Sequence, residues 1–365
     1  MSNDTYLIED ASTQVGDHAL IARWRALLAD SDSHGRVYQS PEFFDYLLST
    51  ATQHAPPQLF TVKERAGGVV VGVVPLTLRC HDMDFSAGRL RLGSLPVPSV
   101  VLLGSAPLMP AEPALLDLLL DFLLKHFPQC QAISLTSLPS DSGLWLYIAR
   151  GRRNYRTHVL NDWRDCHQIP LPASFDAFMA QFNSKRRYNL KRQQRQLSER
   201  GGGQLTLHCI EQPGQLAAMG KALSRLSTPE HRAQLWTAEE MHELATHGML
   251  LCYQIDCGGL PCALMLGLQS SDTLHLFNIF HHSALDHLSV GTTMLHMAIE
   301  DMCKRRHFKR IDLGYGTPGH SYTSTNVTVQ RAHVLLMRAS LRNRVVCHMH
   351  RCFSAGIAWL RRRVR

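Results

Sequence analysis

The chain has 365 residues, of which 45% are hydrophobic and 19% are charged. This composition supports a sizeable buried core and excludes an intrinsically disordered protein, and the length predicts two domains or one large one. Residues 1–10 (MSNDTYLIED) lack the basic and apolar regions of a secretory signal peptide, so we expect an intracellular, cytoplasmic protein.

The first half of the chain alternates between helix and strand patterns. Ser40 precedes Pro41 as an N-cap precedes the first residue of a helix, and Pro75 falls late in a strand pattern, which predicts an edge strand or a bulge. Apolar periodicity predicts further helices at residues 19–28 and 111–126, and strands at 58–63, 69–78 and 132–138. A polar stretch at residues 161–172 predicts a connector between two domains.

The second half predicts helices, then three antiparallel strands, a loop and helix, and two more strands. Thr237 is an N-cap candidate, and turn residues between Asp256 and Pro261 interrupt an apolar stretch that would otherwise be long enough for a membrane span. We therefore expect a hairpin there. The predicted helices are residues 174–200, 215–226, 238–247 and 288–305, and the strands are 205–210, 250–255, 263–269, 273–280, 310–313 and 327–337. Such an order is typical of an α/β or α+β protein with a mixed sheet.

The ten cysteines and 21 histidines do not form a metal-binding pattern. Cys252, Cys257 and Cys262 lack C-x-x-C spacing and are interpreted as buried reduced thiols. The closest histidines, His281, His282 and His287, are interpreted as loop residues. We therefore expect no metal site.

A loop of small residues follows the predicted strand at 273–280 and opens directly onto a helix. It comprises Leu288, Ser289, Val290, Gly291, Thr292 and Thr293. Free backbone N–H groups at such a helix start suit a pyrophosphate, and simple helix capping is the alternative.

Several segments resemble the GNAT superfamily of acyltransferases, and within it the CelD-like group associated with cellulose and exopolysaccharide gene clusters. Leu288–Gly291 resembles that group's Tyr-Ser-Pro-Gly loop, although Gly291 alone survives of the general GNAT loop pattern. Residues 183–192, 310–316, 40–43 and 71–76 resemble further segments of the family. The resemblance implies tandem GNAT-like domains in a FemAB-like architecture. It divides the chain into a degenerate domain at 1–165, an acyltransferase domain at 166–340 and an Arg-rich tail at 341–365.

The resemblance also implies an acyl-CoA co-substrate, acetyl-CoA in particular, and an amine acceptor on a small molecule or a polysaccharide or cell-envelope precursor. Residues 288–293 would hold the pyrophosphate, and the strand that carries Asn278 would polarise the thioester carbonyl. The candidates for proton transfer are His281, Asp286, Asp312, His320 and Tyr322.

Two basic segments of the chain indicate possible binding partners without deciding between them. Residues 185–200 contain seven Lys or Arg and one Glu, and residues 320–365 contain nine arginines and no acid. The net charge of +8 less the latter segment's +9 leaves −1 for the rest. The tail is expected to contact an anionic membrane surface, at the inner membrane face, or an acidic partner protein, with a merely solvated tail as the alternative. A FemAB-like transferase that uses aminoacyl-tRNA, and a non-catalytic GNAT-fold regulator, are the alternative functions; apart from that tRNA, no nucleic acid is expected.

Overall fold

The computed structural model describes residues 5–31, 36–51, 56–87, 90–151, 154–305, 308–315 and 327–364. The chain forms two compact units, Met1–Arg164 with Gln330–Arg365, and Asp165–Val329. Compactness thus groups residues 330–365 with the first unit, whereas the sequence-based division ended the second domain at residue 340.

The first unit is built on a mixed sheet in the order β1-β2-β3-β4-β5-β12-β6. Its strands are β1 (Tyr6–Asp10), β2 (Gln58–Glu64), β3 (Val70–Ala87), β4 (Leu90–Leu102), β5 (Ala132–Pro139) and parts of β6 (Tyr155–Pro170) and β12 (Val327–Arg338). Strands β4 and β5 pair in parallel, and β1–β2, β2–β3, β3–β4 and β5–β12 pair antiparallel. Its helices are α1 (His18–Asp30), α2 (Pro41–Thr50), α3 (Pro113–His126), α4 (Gly143–Ile148) and α11 (Leu341–Val364).

Local sequence explains where these helices begin. The Ser40 hydroxyl accepts a hydrogen bond from the Phe43 N–H at 3.1 Å and Pro41 is the first helical residue, which confirms the predicted start of α2. Helix α3 buries six leucines, which pack on Phe60, Val100 and other apolar residues of the sheet. These contacts form the main core of the first unit.

Strands β3 and β4 form a long hairpin that the sequence only partly predicts. The prediction of an edge or a bulge at Pro75 is wrong, because β3 pairs with β2 and β4 on its two sides and the Pro75 carbonyl accepts from the Leu103 N–H at 3.0 Å, just past the end of β4. In β4, Pro96 and Pro98 precede the first residue that pairs with β5, Ser99. Proline has no backbone N–H group, and at these two positions none is needed for pairing with β5.

Residues 161–172 were predicted as a polar connector between two domains; the two units do divide there, between Arg164 and Asp165, but the prediction of an irregular connector is wrong. Strand β6 runs through most of them to Pro170 and carries buried residues at Cys166, Gln168 and Ile169. The polar side chains that suggested a connector lie on exposed positions of a strand with neighbours on both sides.

The second unit has a mixed sheet in the order β6-β11-β10-β9-β8-β7. Its further strands are β7 (Leu205–Ile210), β8 (Cys252–Cys257), β9 (Leu260–Gln269), β10 (Thr273–His281) and β11 (Arg310–Tyr315). Its helices are α5 (Phe175–Ala180), α6 (Ser184–Arg200), α7 (Leu216–Leu226), α8 (Pro229–Arg232), α9 (Ala238–Thr246) and α10 (Val290–Arg305). Helix α10 packs on β8, β9 and β10, and α6 packs on α10.

The single helix predicted at residues 174–200 is wrong, because the chain forms α5 and α6 there. The Asn183 side chain accepts a hydrogen bond from the Arg186 N–H at 2.9 Å and so caps a new helix. The other elements predicted in this half are confirmed, including the capping box of Thr237 and Glu240 and the β8–β9 hairpin with its turn at Gly258 and Gly259. None of the described helices is long and apolar enough to cross a membrane.

Candidate functional site

The parallel strands β10 and β11 pair for only a short distance and then separate. Thr273, Leu274 and His275 pair with Arg310, Ile311 and Asp312, and no further pairs between the two strands are present in the described part of the chain. Strand β10 nevertheless continues to His281, so residues 276–281 present backbone N–H and C=O groups that β11 does not pair. We call this region the β10–β11 split. It offers strand-like hydrogen bonding to a ligand that lies along β10.

Both strands are irregular at the split. Against β9, the register of β10 shifts between Leu276 and Asn278, so Phe277 is an additional residue in a β-bulge. In β11 the register against β6 shifts between Asp312 and Tyr315, where Gly314 has a φ of +66°. Bulges redirect backbone groups out of a regular ladder, so these positions can direct N–H groups at a ligand.

Helix α10 begins with uncapped N–H groups. Ser289 has the left-handed φ and ψ of 55° and 46°, and its carbonyl accepts from the Thr293 N–H at 3.0 Å. Among the described residues, none accepts a hydrogen bond from the N–H groups of Val290, Gly291 and Thr292. The first turn contains no acidic residue, so the positive end of the helix dipole is not neutralised there. This arrangement fits a phosphate group.

His281, at the end of β10, lies against this helix start. A Cβ atom added at Gly291 would lie 3.4 Å from His281 Cδ2 and 3.7 Å from Nε2, so glycine allows the imidazole to approach the backbone closely. The Nδ1 atom lies 3.1 Å from Asp286 Oδ1, but the two atoms are not aligned for a hydrogen bond. Nδ1 thus has no hydrogen-bond partner among the described residues. His281 and Asp286 are therefore the two predicted residues that the structure brings together with the loop at 288–293.

Basic residues of α6 add positive charge beside α10. The pKa of His296, which is buried on α10, is lowered by burial, and the charges of Arg186 and Lys191 lower it further against the opposing effect of Glu300. These two cations are thus close enough to α10 to act on its side chains. Four more basic residues of α6 are exposed, namely Lys185, Arg192, Arg195 and Arg200. Positive charge from α6 therefore lies beside α10, which favours an anionic ligand bound to this helix.

Asp312 occupies the opposite end of the split. It is 3% exposed, its Oδ1 accepts from the Gly314 N–H at 2.9 Å, and its Oδ2 accepts from the Gln168 side-chain amide at 3.3 Å. Since Asp312 pairs with His275, six residues of β10 separate it from His281, roughly 20 Å along an extended strand. The two residues cannot act on one proton, and the bonds of Asp312 indicate that it holds the turn at Gly314.

The remaining predicted residues are placed as follows. Asn278 is exposed on β10 immediately after the bulge, Leu288 is half-buried before the helix, and Thr293 is buried beneath it. His320 and Tyr322 lie outside the described residues. His281 and Ile279 thus face the loop at 288–293, whereas the side chain of Asn278, three residues before His281 in a regular stretch of strand, lies on the opposite face of β10.

Sequence analysis missed an aromatic pair at the bulge and a cavity in the first unit. The rings of Trp236 and Phe277 meet edge to face with centroids 4.5 Å apart, and Phe277 is 46% exposed. In the first unit a cavity of about 700 Å³ is lined by Gly104, Ser105 and Gln39 among others. The sequence offers one hint of the cavity, the Gly104-Ser105 pair, whose φ angles are both positive.

The cysteines of the β8–β9 hairpin are thiols, and burial raises the pKa of Cys252 and of Cys262 to about 12. Cys257 is half-buried and its pKa is also raised by burial. Across the described residues no group of three His, Cys, Asp or Glu side chains is arranged to hold a metal ion.

Sequence comparison identifies the second unit. Residues 184–322 match the family model described as "Acetyltransferase (GNAT) domain", and this segment contains α6, the split and the start of α10. The second unit is similar to GNAT acetyltransferases. A search of curated proteins finds no match.

Solved structures extend the likeness to both units. The crystal structure of FemX aligns with a TM-score of 0.59 at 9% identity over 87% of this chain and 96% of that chain. A tandem GNAT protein from the clavulanic acid biosynthesis pathway aligns with a TM-score of 0.53 at 14% identity over 92% of this chain and 99% of that chain. The C-terminal domain of a lysylphosphatidylglycerol synthetase from Agrobacterium fabrum aligns with a TM-score of 0.53 at 10% identity, covering 91% and 95%. The protein has a tandem GNAT fold, and at these identities the likeness concerns the fold alone.

Proposed function

We propose that the second unit is an acyl-CoA-dependent N-acyltransferase that transfers an acyl group, acetyl in the simplest case, to an amine. The observation that carries this proposal is the free helix start at Val290–Thr292, placed beside the end of β10, which pairs with β9 on one side but not with β11 on the other. A pyrophosphate needs the first feature, and an extended thioester chain needs the second. Both lie in the segment similar to GNAT acetyltransferases.

In this proposal the pyrophosphate accepts hydrogen bonds from the N–H groups of Val290, Gly291 and Thr292. Lys191 and Arg186 contribute charge from α6. His281 lies against Gly291 and donates a further hydrogen bond from Nε2 when that nitrogen is protonated. This assigns His281 to phosphate binding rather than to proton transfer.

The thioester lies farther along β10, towards the bulge at Phe277 and Asn278. Backbone N–H groups redirected by the bulge would polarise the thioester carbonyl and stabilise the negative charge that develops on its oxygen. The amine nitrogen attacks the carbonyl carbon, the C–N bond forms and the C–S bond breaks. The proton leaves the amine for a base, and the CoA thiolate takes up a proton. His320 and Tyr322 are the proposed groups for these two transfers, because Asp312 is bound to Gly314 and Gln168.

Calorimetric titration with acetyl-CoA tests the proposal, with Gly291→Glu as the decisive variant. A carboxylate at the helix start would repel the pyrophosphate and occupy space beside His281 where the phosphate would bind, so we expect affinity to fall at least about 100-fold. Gly220→Glu is the matched control, since it makes the same charge change on an exposed position of α7 with open space around it.

Equal affinity of the two variants, or no binding by the unaltered protein, would overturn the proposal. Binding without transfer to any amine in a broad acceptor screen would instead support a GNAT-fold regulator that retains CoA.

A second candidate is a transferase that takes its acyl group from aminoacyl-tRNA. The exposed basic residues of α6 favour it, since Arg195 alone among the Lys and Arg side chains described there forms an ion pair within the helix, with Glu199 at 3.6 Å. Filter binding of aminoacyl-tRNA at several salt concentrations separates the two, because tRNA binding should weaken steeply with salt while acetyl-CoA binding should not.

For the acceptor, we propose an amine on a small molecule or on a polysaccharide or cell-envelope precursor, as in the CelD-like group. The sequence resemblance at residues 310–316 and 40–43 supports this assignment. We also place the protein in the cytoplasm on this basis.

A further inference from the structure

The outer face of helix α11 carries an apolar stripe that the fold does not use. Five large apolar side chains of this helix are exposed: Leu341 (76%), Val345 (48%), Met349 (56%), Trp359 (52%) and Leu360 (50%). At 100° per residue they fall within a sector of roughly 100° on one side of the helix. We call this set the α11 stripe.

The inner face of the same helix packs tightly within the first unit. The stripe is therefore not exposed merely because the helix is loosely packed. Asn343, Cys347 and His350 are each 3% exposed. The His350 ring lies 3.2 Å from His158 through its Nδ1 and 3.2 Å from the Asp84 carbonyl through its Nε2. Phe353 packs edge to face on Phe85, with centroids 5.4 Å apart. The helix therefore has one mixed polar and apolar face buried against the first unit and a separate apolar sector facing outwards.

Positive charge flanks the α11 stripe on both sides. Residues 341–365 contain seven arginines and no Asp or Glu. On a helical projection Arg342 borders the stripe on one side and Arg344 and Arg351 border it on the other, and all three are exposed. The Arg363 guanidinium lies 4.1 Å from the centroid of the Trp359 ring; on the same projection it falls within the sector of the stripe, where its exposed side chain can keep the charge at the surface.

We propose that the α11 stripe docks on an anionic lipid surface, with the apolar side chains in the acyl-chain boundary and the arginines among the headgroup phosphates. An apolar sector bordered by arginines and free of acids matches the helices that lie in the membrane interface. A second copy of this chain would bring two such arginine-rich faces together, which like charges disfavour. A nucleic acid would leave the apolar side chains without an apolar partner. This inference does not depend on the transferase function.

The test is co-flotation of the full chain with vesicles of phosphatidylcholine alone or with about 30 mol% phosphatidylglycerol. We expect binding to the anionic vesicles and little to the neutral ones, weakened as salt rises. Val345→Asp with Met349→Asp should reduce partitioning at least about tenfold, because two charges would enter the apolar boundary. Arg342→Gln with Arg344→Gln should reduce it about 30-fold, given the usual contribution of a basic residue near an anionic surface.

Matched controls separate the stripe from general effects. Val69→Asp with Leu260→Asp changes two equally exposed apolar residues elsewhere (51% and 53%), and Arg65→Gln with Arg225→Gln removes two exposed arginines. Neither pair should alter partitioning, and circular dichroism confirms that each variant is folded.

Equal partitioning of stripe and control variants, or equal binding to neutral vesicles, would overturn the proposal. A second contradicting outcome combines two results. The unaltered protein would not bind vesicles, and sedimentation equilibrium would show a dimer that the Val345 and Met349 changes abolish. Binding to polyglutamate but not to vesicles would assign the stripe to an acidic protein and would equally refute the lipid surface.

Discussion

The two units share one arrangement of elements but differ where a ligand would bind. In each, an antiparallel meander ends in a strand, a helix follows, and the next strand pairs in parallel with the end of the meander: β2–β3–β4, α3 and β5 in one, β8–β9–β10, α10 and β11 in the other. In the first unit β4 ends at the last parallel pair, Leu102 with Leu135. In the second, β10 continues to His281, six residues beyond the last pair.

The helix starts differ as well. Glu112 is the N-cap of α3 and Pro113 follows it, so the helix begins with a carboxylate and lacks one N–H. Helix α10 follows Ser289 and begins with free N–H groups and no acid. The comparison teaches that the topology is common to both units, and that a few loop residues decide which helix start can hold a phosphate.

The largest expected effect concerns α3, whose role in this comparison is structural. Leu119→Ala removes a fully buried side chain and should lower the free energy of unfolding by about 2–5 kcal/mol in urea titrations. Acetyl-CoA affinity in the folded variant should stay within about twofold. The half-exposed Leu48 provides the control, Leu48→Ala, with little effect on either quantity. Lost CoA binding by a folded Leu119→Ala protein would contradict the assignment of the site to the second unit.

Acid should destabilise the first unit through its buried histidine pair. Burial, together with the smaller effects of the neighbouring His350 and Arg351, lowers the pKa of His158 from 6.5 to about 4. Below pH 6.5 the unfolded chain binds the proton first, so this contribution to stability is complete above pH 6.5 and declines until about pH 4. The loss should reach at most about 3 kcal/mol.

Urea unfolding at a series of pH values measures this loss, and His158→Gln should flatten the dependence between pH 6.5 and 4. In the second unit the pKa of His296 is lowered by burial but raised by Glu300, so His296→Gln should change the dependence less. A larger change in the pH dependence for His296→Gln than for His158→Gln would mean that the second unit is the acid-sensitive one.

Asp312 stabilises a bulge in β11 whose backbone recurs in β5, where Ser137 also has a positive φ but Leu135 stands in the place of the aspartate. Asp312→Ala should cost about 1.5–3 kcal/mol in urea unfolding, because the buried Gly314 N–H and the Gln168 amide lose a charged acceptor. Asp312→Asn retains one oxygen for the Gly314 N–H and should recover part of that loss. An Asn variant as unstable as the Ala variant would show that the charge, and not the turn bond, dominates.

The smallest expected effect is electrostatic. Lys191→Gln should weaken acetyl-CoA binding about threefold at low salt, because one cation beside α10 is removed, and the difference should shrink at high salt. Lys125→Gln, on the last turn of α3, is the matched control and should change nothing. A control effect of equal size would indicate a general attraction rather than a local site.

The sequence predicted the loop and helix start at 288–293, because small residues after a strand pattern depend only on local chemistry. It did not predict the β10–β11 split or the bulge at Phe277, since both are set by the register against strands distant in the chain. Strand β4 was missed because Pro96 and Pro98 suggest a loop, and their positions are acceptable only because β5 pairs later, from Ser99 onwards. The break before α6 was readable in Asn183, whose capping role the continuing apolar pattern of α5 obscured.

Hydrogen exchange with and without acetyl-CoA tests the central claim most directly, because it reports both units in one experiment. We expect slower exchange in residues 289–293 and 276–281 on binding, and no change in residues 103–113 of the first unit. Protection at 103–113 without protection at 289–293 would place the ligand at the α3 start and contradict the account.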